Sequence, residues 1–512
     1  MIQIRGLSIF HKKDLRQLVK DLDLTLNRGD KAALIGEEGN GKSTVIKWIY
    51  DDELIFPYAE YEGDVVNSGE KICYLPQEMT EADRQMTVYE FFTAGSDAPD
   101  EREVSEVMRT VGLSYDTYYS DQKMGTLSGG EKIKISMARI LLSHPTALLL
   151  DEPSNDLDLD TLIWLEGFIN AFDGIVLYIS HDEVLLENTA NRIILLEQLK
   201  KKMEPRATVY NLGYQEFKKT REDLFKRDLS IAENQRREFK EKMERFRRIQ
   251  EKVNHDLNSV SRQDPSTGRL LKKKMKSVKA QEKRFEKEEE QLKEIPEQEE
   301  SIFFRFSEEA VIPNGKTVLD LEMPELRVGD RVLSENLRLH VRGPEKVCII
   351  GKNGIGKTTF LRAVADELLK RKDLKAAYMS QNYEDTMDFS LTPVDYLCRT
   401  GDREERTRVR TYLGSMKYTA DEMLHPISEL SGGQKAKIFL LKMNLEGSDV
   451  LILDEPTRNF SPLSSGVIRD LLIEFGGAVI SISHDRKYIK EVCDSVYELT
   501  EGGLVLKDML NL

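Results

Sequence analysis

Laid over itself, the sequence matches its own second half, and this duplication limits the possible folds more than any other feature. Asp151 aligns with Asp454, Leu127 with Leu430 and His181 with His484, each at an offset of 303. Gln77 aligns with Gln381 at 304, and Gly36 with Gly351 at 315. An offset held over such a distance marks tandem copies of one structural unit. The second copy is about 11 residues shorter between its glycine motif and its glutamine. The expected organisation is a first domain at 1–205, an insert at 206–300 with its tip at about 255–270, and a second domain at 301–512. Each copy is long enough to bury a core of its own.

Apolar runs open each copy (AALIG at 32–36, VCIIG at 347–351) and recur later as ALLLD, VLYIS, VLILD and VISIS. Continuous runs of this kind, alternating with helical stretches, predict buried parallel strands in an α/β domain. After the first run of each copy comes a glycine loop, GEEGNGKS at 36–43 and GKNGIGKT at 351–358. Both satisfy G-x-x-x-x-G-K-[ST]. In such a loop the glycines (36, 39 and 41; 351, 354 and 356) let successive backbone N–H groups wrap a phosphate at a helix N-terminus. Lys42 and Lys357 then reach the outer phosphates, and Ser43 and Thr358 ligate Mg²⁺.

ALLLDEP and VLILDEP end an apolar strand in two carboxylates. Asp151 and Asp454 are expected beside the metal, and Glu152 and Glu455 where an attacking water must be oriented and deprotonated. Gln77 and Gln381 are candidates to sense metal and water. His181 and His484, both in ISHD, are candidates to hydrogen-bond the γ-phosphate. A single histidine is usually structural; the same ISHD at the 303 offset favours function.

The five residues LSGGE (127–131) and LSGGQ (430–434) complete the set. Together these elements resemble the ATP-binding cassette superfamily over about 400 residues. The resemblance implies two tandem P-loop NTPase domains of that type, packed head to tail, each nucleotide clamped between the glycine loop of one and the LSGG of the other. Site one would then pair Lys42, Gln77, Asp151, Glu152 and His181 with Ser431, Gly432 and Gly433. Site two would pair Lys357, Gln381, Asp454, Glu455 and His484 with Ser128, Gly129 and Gly130. Thr44 and Thr359 would join the ATP-binding loops. Phe10 is a candidate to stack on adenine, and a core role suits it equally. One departure stands out: SNDLD (154–158) becomes TRNFSP (457–462), with Ser461 and Pro462 read in place of the usual Leu-Asp, which puts equal turnover at the two sites in doubt.

The insert is the exception to an acidic chain. From Arg245 to Arg284, thirteen Lys and Arg against four acids give +9, in a chain of net charge -15. Such asymmetry points to a polyanion-facing element on an acidic body. Phe239, Met243, Phe246, Ile249, Val253, Leu257 and Val260 recur at threes and fours, and Leu271, Val278, Phe285 and Leu292 at sevens. Two such stripes around SVSRQDPSTG (259–268) predict an antiparallel α-helical hairpin projecting roughly 60 Å. A solvated face is the bland reading of its charges; the KKKMKSVK cluster at 272–279 favours contact with nucleic-acid phosphate.

Twin cassettes and a charged helical linker resemble the ABC-F branch, which binds ribosomes. Trp164-Leu165-Glu166 and the aromatic TVYNLGYQEF (208–217) are similar to marks of that branch. The resemblance implies a cytoplasmic ATPase using ATP and Mg²⁺, a monomer with intramolecular cassette pairing, bound at the exit site of the bacterial 70S ribosome beside 23S rRNA and peptidyl-tRNA. TRNFSP and QDPSTGRLLKKKMKSVK are similar to the antibiotic-resistance members of Gram-positive bacteria, whose linker tip dislodges lincosamides, pleuromutilins or streptogramin A compounds. Arg262, Gln263, Asp264, Pro265 and Ser266 would approach the drug site, with Lys272, Lys273, Lys274 and Lys276 on RNA. The alternative is a housekeeping factor gating elongation; more distant are a transporter ATPase subunit and a DNA-repair ATPase. No run approaches the roughly 18 to 20 apolar residues of a spanning helix, and the N-terminus lacks the apolar core of a secretory signal. Cys73, Cys348, Cys398 and Cys493 form no CxxC pair and read as dispersed buried thiols.

Overall fold

The computed structural model describes residues 1–94, 99–155, 157–199, 204–259, 265–290, 295–296 and 312–508. It divides into two compact units, one formed by Met1–Tyr214 with Glu299–Leu512 and the other by Gln215–Gln298. Both cassettes therefore belong to one body.

Each cassette is built on a six-stranded sheet. In the first, the order is Ile72–Leu75, Ala147–Asp151, Ile175–Ile179, Lys31–Ile35, Arg192–Gln198 and Glu204–Tyr210, parallel except for the last pair. In the second it is Ala376–Met379, Val450–Asp454, Ala478–Ile482, Lys346–Ile350, Ser495–Thr500 and Gly503–Lys507, again parallel except for the last pair. The strands Ala147–Asp151 and Val450–Asp454 are buried along their whole length, which is why they read as unbroken apolar runs. Each glycine loop leaves the carboxyl end of a central strand, and each acidic pair leaves a strand two places away. This crevice at the carboxyl ends is where parallel α/β sheets bind ligands.

The expected boundary at 205 falls inside a strand. Glu204–Tyr210 pairs antiparallel with Arg192–Gln198, so residues to Tyr214 belong to the first cassette and the second unit starts at Gln215. The missing 11 residues also have a structural counterpart. The first cassette carries a three-stranded antiparallel sheet in the order Gln17–Leu26, Ile2–His11, Ala59–Asn67. Among the described residues the second has only Thr317–Val328 paired with Arg331–Arg342, and its chain runs from the helix Lys357–Leu369 to the strand Ala376–Met379 with no third strand between.

The second unit is a helical hairpin of Tyr214–Ser259 and Pro265–Glu290. Phe239, Phe246 and Val278 are buried, and the Phe285 ring packs edge-on against both phenylalanines at 6.2 and 5.2 Å. Ile249 departs from the expected stripe and is 56% exposed. The seam runs through Phe239, Phe246 and Val253 at sevens, with Met243 between, and Ile249 is one position off it. Lys273, Lys274 and Lys276 are exposed. Arg262, Gln263 and Asp264 lie outside the described residues, as do the side chains of Pro265, Ser266 and Lys272. Of the four cysteines only Cys348 and Cys493 are buried; Cys73 and Cys398, expected inside, are partly exposed.

Candidate nucleotide sites

The first glycine loop starts where the buried strand Lys31–Ile35 ends. Gly36 has φ of 150°, and a Cβ there would sit 2.2 Å from the Leu196 carbonyl, so only glycine fits. Lys42 opens the helix Lys42–Tyr50 and folds back, its Nζ donating to the carbonyls of Gly36 and Glu37 at 2.9 and 3.0 Å. Lys357 does the same to Gly351 and Lys352 at 2.8 and 3.1 Å. A lysine curled over its own loop holds a cation at the mouth of a ring of backbone N–H groups.

Around the first loop, Ser43 Oγ donates to Asp151 Oδ1 at 2.9 Å. Gln77 Nε2 donates to Glu152 Oε2 at 2.9 Å, Asn155 donates to the same oxygen, and His181 Nε2 lies 3.2 Å from Glu152 Oε1. Burial works to raise the Glu152 carboxyl, but His181, Lys42 and Asn155 outweigh it and hold it at about 2. Glu455 is left differently. Burial and the adjacent Asp454 push it up to about 8, against a weaker pull from the His484 backbone N–H, which donates to it at 3.3 Å. Burial and the charge of Lys357 push His484 down to about 4.

The two signature sequences cap helices. Ser128 and Ser431 are N-caps of Gly129–Leu141 and Gly432–Glu446, each closed reciprocally by the residue three positions on, Glu131 or Gln434. This explains why Glu and Gln are interchangeable at the fifth position. The second glycine of each is pinned by packing: a Cβ on Gly130 would meet Thr161 Oγ1 at 2.6 Å, and one on Gly433 the Asn459 carbonyl at 2.6 Å.

Among the described residues, cavities between the cassettes include two at the glycine loops. The larger, 920 Å³, brings Ser128 and Gly129 of the first half onto Gly354, Gly356, Lys357, Thr358, Thr359, Gln381, Asp454, Glu455 and His484 of the second. The smaller, 420 Å³, collects Gly39, Gly41, Lys42, Ser43, Thr44, Gln77, Glu152 and His181 with Arg458 and Asn459 of the second half. The head-to-tail arrangement is therefore present within one chain. Not every candidate reaches a cavity. Gly36 and Gly351 shape the loops from behind, and Asp151 lies beneath Ser43. Ser431, Gly432 and Gly433 are held behind Glu38, whose carboxylate accepts from the Gly433 N–H at 2.8 Å. Phe10 does not line the smaller cavity; its neighbour His11 does, with Tyr58 as the aromatic ring.

Sequence reading missed Glu37 and Glu38, which fill wildcard positions of the loop motif. Ser461 Oγ donates to Glu37 Oε1 at 2.6 Å and Ser464 donates to the same atom. Their signal was the altered TRNFSP. At the 303 offset the substitution is Ser461 for Asp158 and Phe460 for Leu157, not Ser-Pro for Leu-Asp.

The residues suit a divalent cation of the Mg²⁺ kind. Asp454 Oδ2 is buried without a hydrogen-bond partner, and Asp151 already holds the Ser43 hydroxyl. Among the described residues no three His, Cys, Asp or Glu side chains cluster as a metal cage. A hydroxyl and a carboxylate completed by ligand oxygens fit Mg²⁺ better than a soft metal.

A sequence profile of the ABC transporter family matches residues 19–155 and 334–458. Similar curated proteins include ABC transporter F family member 5 of Arabidopsis thaliana, 25% identical over 95% of this chain and 73% of that one. The probable ATP-binding protein YheS of Escherichia coli K12 is 25% identical over 97% and 78%, and ATP-binding cassette sub-family F member 2 of Mus musculus 26% over 97% and 80%. Among solved structures, the archaeal ribosome recycling factor aABCE1, in complex with the stalk protein aP1, shares the fold at a TM-score of 0.59 and 17% identity, over 98% of this chain and 89% of that one.

Proposed function

This chain belongs to the ABC transporter family and is an ATP-hydrolysing enzyme, and from that premise we propose that it is an ABC-F ribosomal protection protein. In this reading it binds the exit site of the bacterial ribosome and uses its linker tip to dislodge antibiotics from the peptidyl-transferase region. The observation that carries the reading is the combination, in one chain, of two inter-cassette sites with a long hairpin whose lysines at 273, 274 and 276 stand exposed. At about 1.5 Å per residue, the 46 residues of Tyr214–Ser259 extend roughly 70 Å. Among the described residues no helix is long and apolar enough to cross a membrane. The relatives named as F family members, spanning 95% and 97% of the chain, support the branch.

In each site the lysine and loop amides bind the phosphates, and the glutamate orients the attacking water and deprotonates it when ionised, which for Glu455 requires loss of the proton that burial and Asp454 favour. The histidine hydrogen-bonds the terminal phosphate. Ser43, Gln77 and Asp151 in one site, and Thr358, Gln381 and Asp454 in the other, would hold Mg²⁺, which supplies charge neutralisation when bound. Triphosphate joins the halves and docks the hairpin; its hydrolysis separates them and releases the protein. The hairpin lysines act on RNA through phosphate charge.

Reversing Lys273, Lys274 and Lys276 to glutamate is therefore expected to weaken ATP-dependent cosedimentation with 70S ribosomes by about tenfold or more, and to flatten its salt dependence. Unchanged cosedimentation across salt concentrations would overturn the RNA-contact reading. A variant that still binds but no longer relieves drug-stalled synthesis would move the lysines' role from binding to the drug site.

A further inference from the structure

At the 303 offset, three acids of the first half become cations in the second: Glu166 corresponds to Arg469, Glu183 to Arg486 and Glu187 to Lys490. Between them sits a position that does not change. Asp182 corresponds to Asp485, and each N-caps its own helix, Glu183–Thr189 or Arg486–Val492. The acid is kept where it serves the local fold and inverted beside it.

The inverted residues face the other half. Arg469 pairs with Glu183 at 2.8 Å, and Arg486 pairs with Glu166. These are the same two repeat positions taken in both directions, the relation that an exchange of halves about a two-fold axis produces. Arg486 also lies 3.2 Å from Asp182. Lys487, where the first half has Val184, adds a further cation, 3.1 Å from Glu183 and paired also with Glu187. Glu491 of the second half holds Arg469 from behind at 2.6 Å, so the guanidinium is fixed on both sides. Arg469 and Glu183 are buried, where charge is screened least.

The sign inversion decides what can dock here. With another first half in place of the second, the two-fold relation would set Glu166 against Glu183 on both sides of the axis, beside Asp182. Two second halves would set Arg469 against Arg486. Like charges meeting in a buried seam exclude a wrong partner more strongly than an apolar seam can. We propose that this seam is a pairing code: the surface of Glu166, Asp182, Glu183 and Glu187 accepts only a second half, from its own chain or from a second copy, and rejects another first half. A duplicated domain would otherwise be free to pair with its own kind. The ribosomal reading does not enter this argument.

The test uses full chains. Arg469→Glu with Arg486→Glu makes a chain acidic on both faces, and Glu166→Arg with Glu183→Arg makes one basic on both. Each alone is expected to lose at least about tenfold in ATP turnover and to stay monomeric by light scattering, since it can join neither its own halves nor a copy of itself. Mixed in equal amounts, they are expected to form a heterodimer and to recover about half of the parent turnover per chain, because the first half of the acidic chain and the second half of the basic chain rebuild one native seam. Turnover kept by either variant alone, or a mixture no more active and no more dimeric than its components, would overturn the proposal. A second variant covers the case in which either chain fails to fold. Exchanging one pair only, Glu183→Arg with Arg469→Glu, keeps opposite charges in both pairs but gives the two halves the same pattern. It is expected to keep turnover within about threefold and to give at least about tenfold more dimer than the parent at equal concentration, with first halves crosslinked to first halves. A chain as monomeric as the parent, active or not, would overturn the proposal as well.

Discussion

Replacing Glu152 and Glu455 together with glutamine is expected to lower steady-state phosphate release by at least about a hundredfold, the contribution of one positioned general base, while ATP still binds. Glutamine keeps the shape of the side chain, and its amide oxygen can still accept from Gln77 and Asn155 in site one while its NH2 faces His181 Nε2, so the loops are not expected to rearrange. What it cannot do is take a proton from water. In the proposed cycle hydrolysis separates the halves, so the double variant is also expected to accumulate on ribosomes in ATP. Turnover within tenfold of the parent would remove the two glutamates from the mechanism; cosedimentation no stronger than that of the parent would break the link between hydrolysis and release.

The second large effect is expected at a cluster of charges between the cassettes. Arg469 and Glu183, with side chains 4% and 2% exposed, pair at 2.8 Å. Lys487 joins Glu183 at 3.1 Å and also Glu187, while Arg486 pairs with Glu166 and, at 3.2 Å, Asp182. Each cation comes from the second half and each of these acids from the first. Arg469→Ala leaves Glu183 with less compensation in a dry interface, a loss of about 3 to 5 kcal/mol when one partner of a buried pair is removed. The expected result is a lower denaturant midpoint together with loss of ATP turnover, since both sites need the halves joined. The pair Arg469→Ala with Glu183→Ala is expected to recover part of the loss, because the Glu183 carboxylate is then no longer left buried beside a missing partner. A single variant as stable and as active as the parent would show that the cluster contributes nothing to joining the halves.

Much of this architecture can be read from the chain because its strongest signals are local and repeated. A glycine loop demands fixed spacing, a buried parallel strand is an unbroken apolar run, and a capping box is a serine followed three residues later by Glu or Gln; each recurs in both halves. What escaped depends on contacts between distant segments. Glu37 and Glu38 occupy positions at which the loop motif accepts any residue, and their meaning comes from Ser461 and Gly433, some 400 residues away. Glu166 was legible as a mark beside Trp164, yet its work is to hold Arg486 across the interface. The expected boundary at 205 falls inside Glu204–Tyr210, although Asn211 and Gly213 stand as breakers between that strand and the helix Tyr214–Ser259. Ile249 fits a stripe drawn at threes and fours but not the tighter seam a two-helix hairpin uses. Phe10 was chosen as the aromatic near the loop, and only the folded sheet brings Tyr58 to that cavity instead.

We propose that ATP-driven closure turns this chain into a ribosomal protection factor acting through the hairpin tip. The most direct measurement is a reconstituted bacterial translation reaction stalled by a lincosamide or a pleuromutilin, with the full chain added with and without ATP beyond the needs of synthesis, and again with residues 259–268 shortened. The expected result is recovery of synthesis that requires the intact tip and is lost in the Glu152→Gln, Glu455→Gln variant. Synthesis that stays stalled while the protein binds the ribosomes would contradict it and leave a housekeeping role in elongation as the activity of this ATPase.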